Sequence, residues 1–148
     1  ECPPEQLGWA MPAYVAETDE IARKEAAPHI ESLFNKFIAS PTQYKLPPGY
    51  SSLASYKAVI EGKYKVRQNY LDCDTLVDNG MFLCGSAETV VAKLEEYQKE
   101  MGFGNIAPML QFGTLPKELT EKNLRLFAEE VIPKVKHLGV GTETVAAE

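Results

Sequence analysis

Hydrophobic positions in this chain follow a repeating pattern, a short apolar run and then a longer stretch with apolar residues every three or four positions. Residues 9–16 (WAMPAYVA) are the first run. Their bulk predicts a buried strand, although Pro12 can donate nothing to a ladder. Thr18 then offers a helix cap, and Asp19 and Glu20 place negative charge in a first helical turn. Ile21, Ala22, Ala26, Ile30, Leu33, Phe34, Phe37 and Ile38 follow near a 3.6 period. Pro28 inside that pattern predicts a kink or a split.

The motif returns twice. Residues 74–79 read as a short helix closed by Gly80, and residues 81–84 as a buried strand. Ser86 and Glu88 open a helix whose stripe is Val90, Val91, Leu94, Tyr97 and Met101, with Gly102 or Gly104 at its end. Residues 105–112 form the third apolar run. Thr114 and Pro116 signal a helix start, and Leu124, Phe127, Val131, Val135 and Leu138 form the stripe that follows. Lys134, Lys136 and His137 sit near its C-terminus, where the helix dipole favours cations.

Between the first two units, residues 40–70 lose all period. Pro41, Pro47, Pro48 and Gly49 break the chain, while Tyr44, Tyr50, Tyr56, Tyr64 and Tyr70 punctuate it. Residues 55–61 could form a helical turn or two. Two readings stand, a surface excursion pinned by half-buried tyrosines or a lid that brings Tyr50 over a ligand. The organisation is thus strand–helix over 9–39, an insertion over 40–70, strand–helix over 71–101 and 105–138, and a tail over 139–148. Strands alternating with helices imply right-handed βαβ units and a parallel sheet, an α/β fold.

Composition narrows the function. The 148 residues fill one domain or one piece of a larger one, with 45% hydrophobic and 24% charged residues. A formal charge of −6 repels phosphate backbones, which argues against nucleic acid as a partner. No apolar run approaches the length of a membrane span, and no apolar leader opens the chain. Cys2, Cys73 and Cys84 are an odd set without metal-site spacing, which disfavours a disulfide framework or a zinc site and suggests a cytoplasmic protein. The chain begins at Glu1 rather than Met, so we expect it to be processed or to belong to something longer.

Candidate chemistry lies at the strand-to-helix turns. Gly85-Ser86 joins a strand end to a helix N-terminus, where free N–H groups and the dipole suit a phosphate, though Ser86 could simply cap the helix. Gln111 and Phe112 lie at the end of the third run, where side chains of parallel α/β folds face the site mouth or merely fill the core. His29 and His137 are poor catalytic candidates, and Cys84 reads as an inert buried thiol. No nucleophile–base set and no Walker or dinucleotide loop is present. Spacing alone shows no catalytic group.

Three blocks in order add a resemblance. Residues 14–20 (YVAETDE) with Ala22 through to Pro28 and His29, residues 83–90 (LCGSAETV), and residues 109–116 (MLQFGTLP) continued by 126–133 (LFAEEVIP) together resemble the C-terminal half of the bacterial-luciferase-like flavin-dependent monooxygenases. The resemblance implies a (β/α)8 TIM barrel that binds reduced FMN, supplied by a flavin reductase, at its C-terminal mouth and uses O2 to oxidise a small organic substrate. It implies a phosphate role for Gly85 and Ser86, and makes strands 9–16, 81–84 and 105–112 the sixth, seventh and eighth of the barrel, with 40–70 a variable insertion near the mouth. Three of eight units would then be present, so the chain is expected to be a C-terminal portion, inactive alone and prone to form homo-oligomers or to associate with the missing barrel half. The alternatives are a deazaflavin-dependent oxidoreductase on the same barrel and a non-catalytic α/β fragment that acts by association.

Overall fold

A computed structural model describes residues 3–39, 49, 51–60 and 70–138. Strand β1 (Gly8–Val15) leads to helix α1 (Asp19–Ser32), which runs on into a π-helical turn at Leu33–Phe37. Thr18 caps α1 by accepting from the Ile21 N–H at 3.2 Å. Pro28 lies inside α1 without splitting it. Helix α2 (Leu53–Ile60) lies within the insertion, and α3 (Cys73–Asp78) follows it with Asp72 as its cap. Strand β2 (Leu83–Gly85) leads to helix α4 (Ala87–Met101), and β3 (Asn105–Met109) leads to α5 (Lys117–Leu126). A π turn at Phe127–Val131 joins α5 to α6 (Ile132–Val135).

The three strands are parallel, in the order β2-β1-β3. β2 pairs with Ala13, Tyr14 and Val15 at the C-terminal end of β1, and β3 pairs with Gly8 through to Pro12. Pro12 therefore sits where the β2 ladder has not begun, and Pro108 lies on an edge strand, so neither missing N–H breaks the sheet. What brings β3 to β1 is a local zipper. The Gly104 N–H donates to the Pro4 carbonyl at 2.8 Å, and Asn105 Nδ2 donates to the Glu5 carbonyl at 2.7 Å, which starts β3 level with Gly8.

On strand order the structure departs from the barrel expectation. Consecutive barrel units lie side by side, which would put β2 in the centre and every helix on one face. Here the path steps from β1 to β2 and then back past β1 to β3. With right-handed crossovers that reversal sends α1 and α4 to opposite faces. The core agrees. Tyr14, Ala16, Phe82 and Cys84 pack with Ala22, Ala26, Ile30 and Leu76 on one face. Met11, Ala13, Val15 and Leu83 pack with Val90, Leu94, Phe127 and Val131 on the other. Alternate residues of one strand feed two cores, which makes β1 the buried centre of a three-layer sandwich.

Three further expectations change. β3 ends at Met109 rather than 112, because residues 110–116 turn to dock on α1. Gly113, at φ 53°, lies so close to α1 that an added Cβ would be 2.1 Å from the His29 carbonyl oxygen. Thr114 does not cap α5. It bonds His29 Nδ1 at 2.8 Å instead, and Pro116 takes the cap position. On α5, Leu124 is exposed and Asn123 is wholly buried, so the inward stripe runs through Asn123, Phe127 and Val131.

Candidate functional site at the carboxyl ends of the strands

In parallel α/β sheets ligands settle beyond the C-terminal ends of the strands, where helix N-termini and loops converge. Two gaps exist here, one between β1 and β2 and one between β1 and β3. Each is closed by a polar side chain of the chain itself.

In the β1/β2 gap, Asp19 from the first turn of α1 reaches across to the N-terminus of α4. Its Oδ1 accepts the Ser86 N–H at 2.6 Å, and its Oδ2 accepts the Thr89 hydroxyl at 3.0 Å. Ser86 Oγ accepts the Thr89 N–H at 3.3 Å, so Ser86 does cap α4. The Ser86 N–H holds the Asp19 carboxyl below the ordinary aspartate value, and the Thr89 hydroxyl adds to the effect. A Cβ on Gly85 would fall 2.7 Å from Asp19 Oδ1 and 2.8 Å from Thr89 Cγ2. The anion that this turn was expected to hold is therefore the chain's own carboxylate. Gly85 is bare because Asp19 and Thr89 press on it, so a cofactor phosphate at Gly85 and Ser86 would have to displace Asp19. A phosphate here would meet a carboxylate at contact distance and contest the same N–H.

The β1/β3 gap is filled by Asn123. Its Oδ1 accepts the Val15 N–H at 2.8 Å, and its Nδ2 donates to the carbonyls of Ala13 at 2.8 Å and Leu110 at 2.9 Å. These are the groups an adjoining strand would have paired where β3 leaves the sheet. One side-chain amide, with a donor and an acceptor in the peptide pattern, replaces it. Sequence reading missed Asn123 by fixing on its apolar neighbour Leu124. The signal was the four-residue spacing to Phe127 and Val131.

A polar network rims this gap. The Tyr14 hydroxyl donates to Glu25 Oε2 at 2.9 Å, and Lys122 Nζ reaches Glu25 at 2.8 Å and Glu17 at 2.7 Å. Burial, reinforced by the bond to Glu25, pushes the Tyr14 hydroxyl far up, so it stays protonated. Burial works against the charge of Lys122, but its two carboxylate partners outweigh that and raise it. The lysine bond in turn holds Glu17 below the usual carboxylate range.

Of the other candidates, Gln111 is exposed at the rim, whereas Phe112 is core, edge-on to Phe82 and Tyr14. Tyr50 lies outside the described residues, as does most of the 40–70 segment, so the lid reading is not addressed. The end of that segment is strapped to α1 and the π turn that follows it, with the Tyr70 hydroxyl on Glu31 at 2.7 Å and the Leu71 N–H on Asn35 at 3.0 Å. A cleft of about 620 Å3 beside the open edge of β2 is lined by Arg23, Phe82, Cys84, Thr89, Lys93 and Tyr97. Among the described residues no cluster of His, Cys, Asp or Glu could hold a metal ion, and no helix is long and apolar enough to cross a membrane.

Comparison with known proteins adds to this geometry. No family model matches the chain. It is 30% identical over 105 residues to dihydroorotate dehydrogenase A (fumarate) of Lactococcus lactis, covering 71% of this chain and 30% of that protein. It is 29% identical over 125 residues to 2,5-diketocamphane 1,2-monooxygenase 2 of Pseudomonas putida, covering 83% and 32%. Among solved structures, the oxygenating constituent of 3,6-diketocamphane monooxygenase from Pseudomonas putida, a type II Baeyer–Villiger monooxygenase in complex with FMN, superposes with a TM-score of 0.57 at 21% identity, over 86% of this chain and 33% of that one. Monooxygenase RslO1 from Streptomyces bottropensis gives 0.55 at 19% identity, over 90% and 32%. The chain thus spans about a third of the length of the curated relatives it matches.

Proposed function

We propose that this chain is part of a flavin-dependent monooxygenase, an oxidoreductase that uses FMN reduced by a separate reductase and O2 to oxidise a small organic substrate. The observation that carries the reading is the match to 2,5-diketocamphane 1,2-monooxygenase 2 over 83% of the chain, in line with the likeness in fold to an FMN-bound Baeyer–Villiger enzyme. The blocks that resemble the luciferase-like family fall on the elements that frame the two gaps.

Such a flavin, when bound, supplies the redox chemistry and the activation of O2. At the turn expected for its phosphate, Asp19 already holds the Ser86 N–H, and nearby Lys122 is tied to Glu17 and Glu25. The role we assign to the chain is to wall the site. The edge-on rings of Tyr14, Phe82 and Phe112 form a rigid apolar floor that excludes water. Gln111 at the rim, with Tyr50 from the insertion, is proposed to face substrate.

The test uses the protein with FMN, an NADH-driven flavin reductase and a small cyclic ketone. Oxygen uptake above the reductase background, with an oxygen atom in the product, supports the reading. Uptake equal to background in the longest form the gene encodes would end it. A second reading is favoured by the match to a dehydrogenase whose name includes fumarate. On that reading the protein passes electrons to an organic acceptor without O2, with a flavin or a deazaflavin. Anaerobic conversion of fumarate to succinate, with the reduced cofactor as the two-electron donor, would select it.

A further inference from the structure

Along the open edge of β3, apart from both gaps, runs a groove of about 290 Å3. It starts at Phe103 and Gly104, which lead into the strand, and reaches Pro108. Leu94, Phe103, Phe127, Val135 and Leu138 give it apolar walls. Lys136 is the one charged residue in the lining, and among the described residues no ion pair engages it. The register decides which backbone groups the edge offers. The Asn105 N–H donates to the Leu7 carbonyl at 3.1 Å, and Asn105 stands opposite Gly8. Successive residues of a strand turn their peptide groups to alternate sides, so those of Asn105, Ala107 and Met109 serve β1, and those of Ile106 and Pro108 point outward. Proline has no N–H, so Ile106 supplies the one outward N–H of β3. An added strand would lose a rung at Pro108. A single acceptor placed on Ile106 meets no such obstacle.

We propose that this groove binds a medium-chain carboxylate, whose carboxyl group accepts from the Ile106 N–H and meets the Lys136 ammonium while its hydrocarbon body lies against Phe103, Phe127 and Val135. The site does not rest on the flavin reading, which concerns the carboxyl ends of the strands. The ligand class follows from the lining. The chain carries a formal charge of −6 and repels anions in general, so a lone cation beside an apolar groove favours an anion at that one place. Lys136 is exposed, which suits a charged head group that stays at the wet mouth of the groove. The walls gain only by covering hydrocarbon, so a purely polar acid finds nothing to hold it. The volume lies near the lower end of the ~300–1,000 Å3 usual for ligand pockets, which fits a chain of about eight carbons better than a long lipid.

The experiment titrates octanoate, hexanoate and the neutral octanol into the full 15N-labelled chain at low salt, with 1H–15N spectra as the readout and light scattering to follow the oligomeric state. Octanoate should shift the Ile106 amide saturably. Each buried methylene strengthens binding about fourfold, so octanoate should bind roughly tenfold more tightly than hexanoate. It should also bind more tightly than octanol. Lys136→Gln should weaken octanoate about fivefold, as the loss of an exposed charge pair, and leave octanol binding as it was. Because Lys136 is exposed, the variant should keep the far-UV circular dichroism of the parent. The proposal is overturned if the Ile106 amide stays still at millimolar octanoate. It is overturned equally if octanoate and octanol bind alike in the parent, which would mark a plain apolar patch, or if Lys136→Gln binds octanoate as the parent does. An Ile106 amide that shifts with dilution of a dimer and ignores octanoate would assign the groove to a second copy of the chain and overturn it too.

Discussion

The two gaps at the carboxyl ends of the strands are closed in opposite ways. Between β1 and β3 the plug is neutral and wholly buried, and Asn123 there copies the pairing of a strand. Between β1 and β2 the plug is charged and exposed, and Asp19 there plays the part of a bound anion at a helix N-terminus. The first arrangement works because peptide groups stripped of water must be paired. The second works because a carboxylate is drawn to free N–H groups and to the positive end of a helix. The contrast bears on function, since a ligand anion at this turn would have to displace the chain's own carboxylate.

The contrast sets an order of effects. Asn123→Leu should be the most damaging change, since it leaves the Val15 N–H and two carbonyls unpaired. At ~1–3 kcal/mol for an unsatisfied buried group, the total loss should reach about 3 kcal/mol or more. Urea unfolding would measure it, and a loss that does not vary between pH 5 and 8 is expected, because no charge is involved. A cost below about 1 kcal/mol would mean that the gap can reclose without the amide.

Gly85→Ala comes next. The new methyl group would press on both Asp19 and Thr89, and overpacking of this kind costs ~1–3 kcal/mol. Combining it with Asp19→Ala should recover part of the loss, since one of the two obstructing groups is gone. Purely additive losses in a double-mutant cycle would count against the contact.

Asp19→Asn should cost less, about 0.5–1 kcal/mol, as the loss of a charge at a helix N-terminus. Its sign with pH is fixed. The folded state holds this carboxyl below the unfolded value of 3.8. The stabilisation is therefore complete above pH 4 and fades as pH falls through the lower folded value. Between pH 7 and pH 2 the parent should lose more stability than Asp19→Asn, and parallel curves would refute the charge account. Tyr14→Phe should cost a comparable amount, about 1 kcal/mol for one hydrogen bond. The phenol is expected to show no phenolate absorbance at 295 nm until the chain unfolds in alkali.

Much of the scaffold was legible in the chain. Thr18 and Ser86 cap the helices expected of them, Gly80 and Gly102 end α3 and α4 at φ 67° and 69°, and the apolar runs became parallel strands. The strand order was not legible, because pairing of β3 with β1 rests on Gly104 and Asn105 meeting a turn one hundred residues earlier, and no local pattern encodes that. Asn123 escaped because a buried polar residue looks like a gap in a stripe. The Gly85-Ser86 turn lies where the sequence places it, between a strand end and a helix N-terminus, with Asp19 on its N–H. Its chemistry calls for an anion, but the partner lies 67 positions away in sequence. Asp19 had already been noticed, as first-turn charge for its own helix.

The central claim is that Asp19, and not a ligand phosphate, occupies the N–H of Ser86. It can be tested in one set of 1H–15N spectra of the labelled chain, acquired against pH and against FMN. The account expects the Ser86 amide to lie downfield at neutral pH, to move upfield with a midpoint below pH 4 as Asp19 is protonated, and to stay still when FMN is added. A Ser86 amide that ignores the acid titration but shifts saturably with FMN would contradict it.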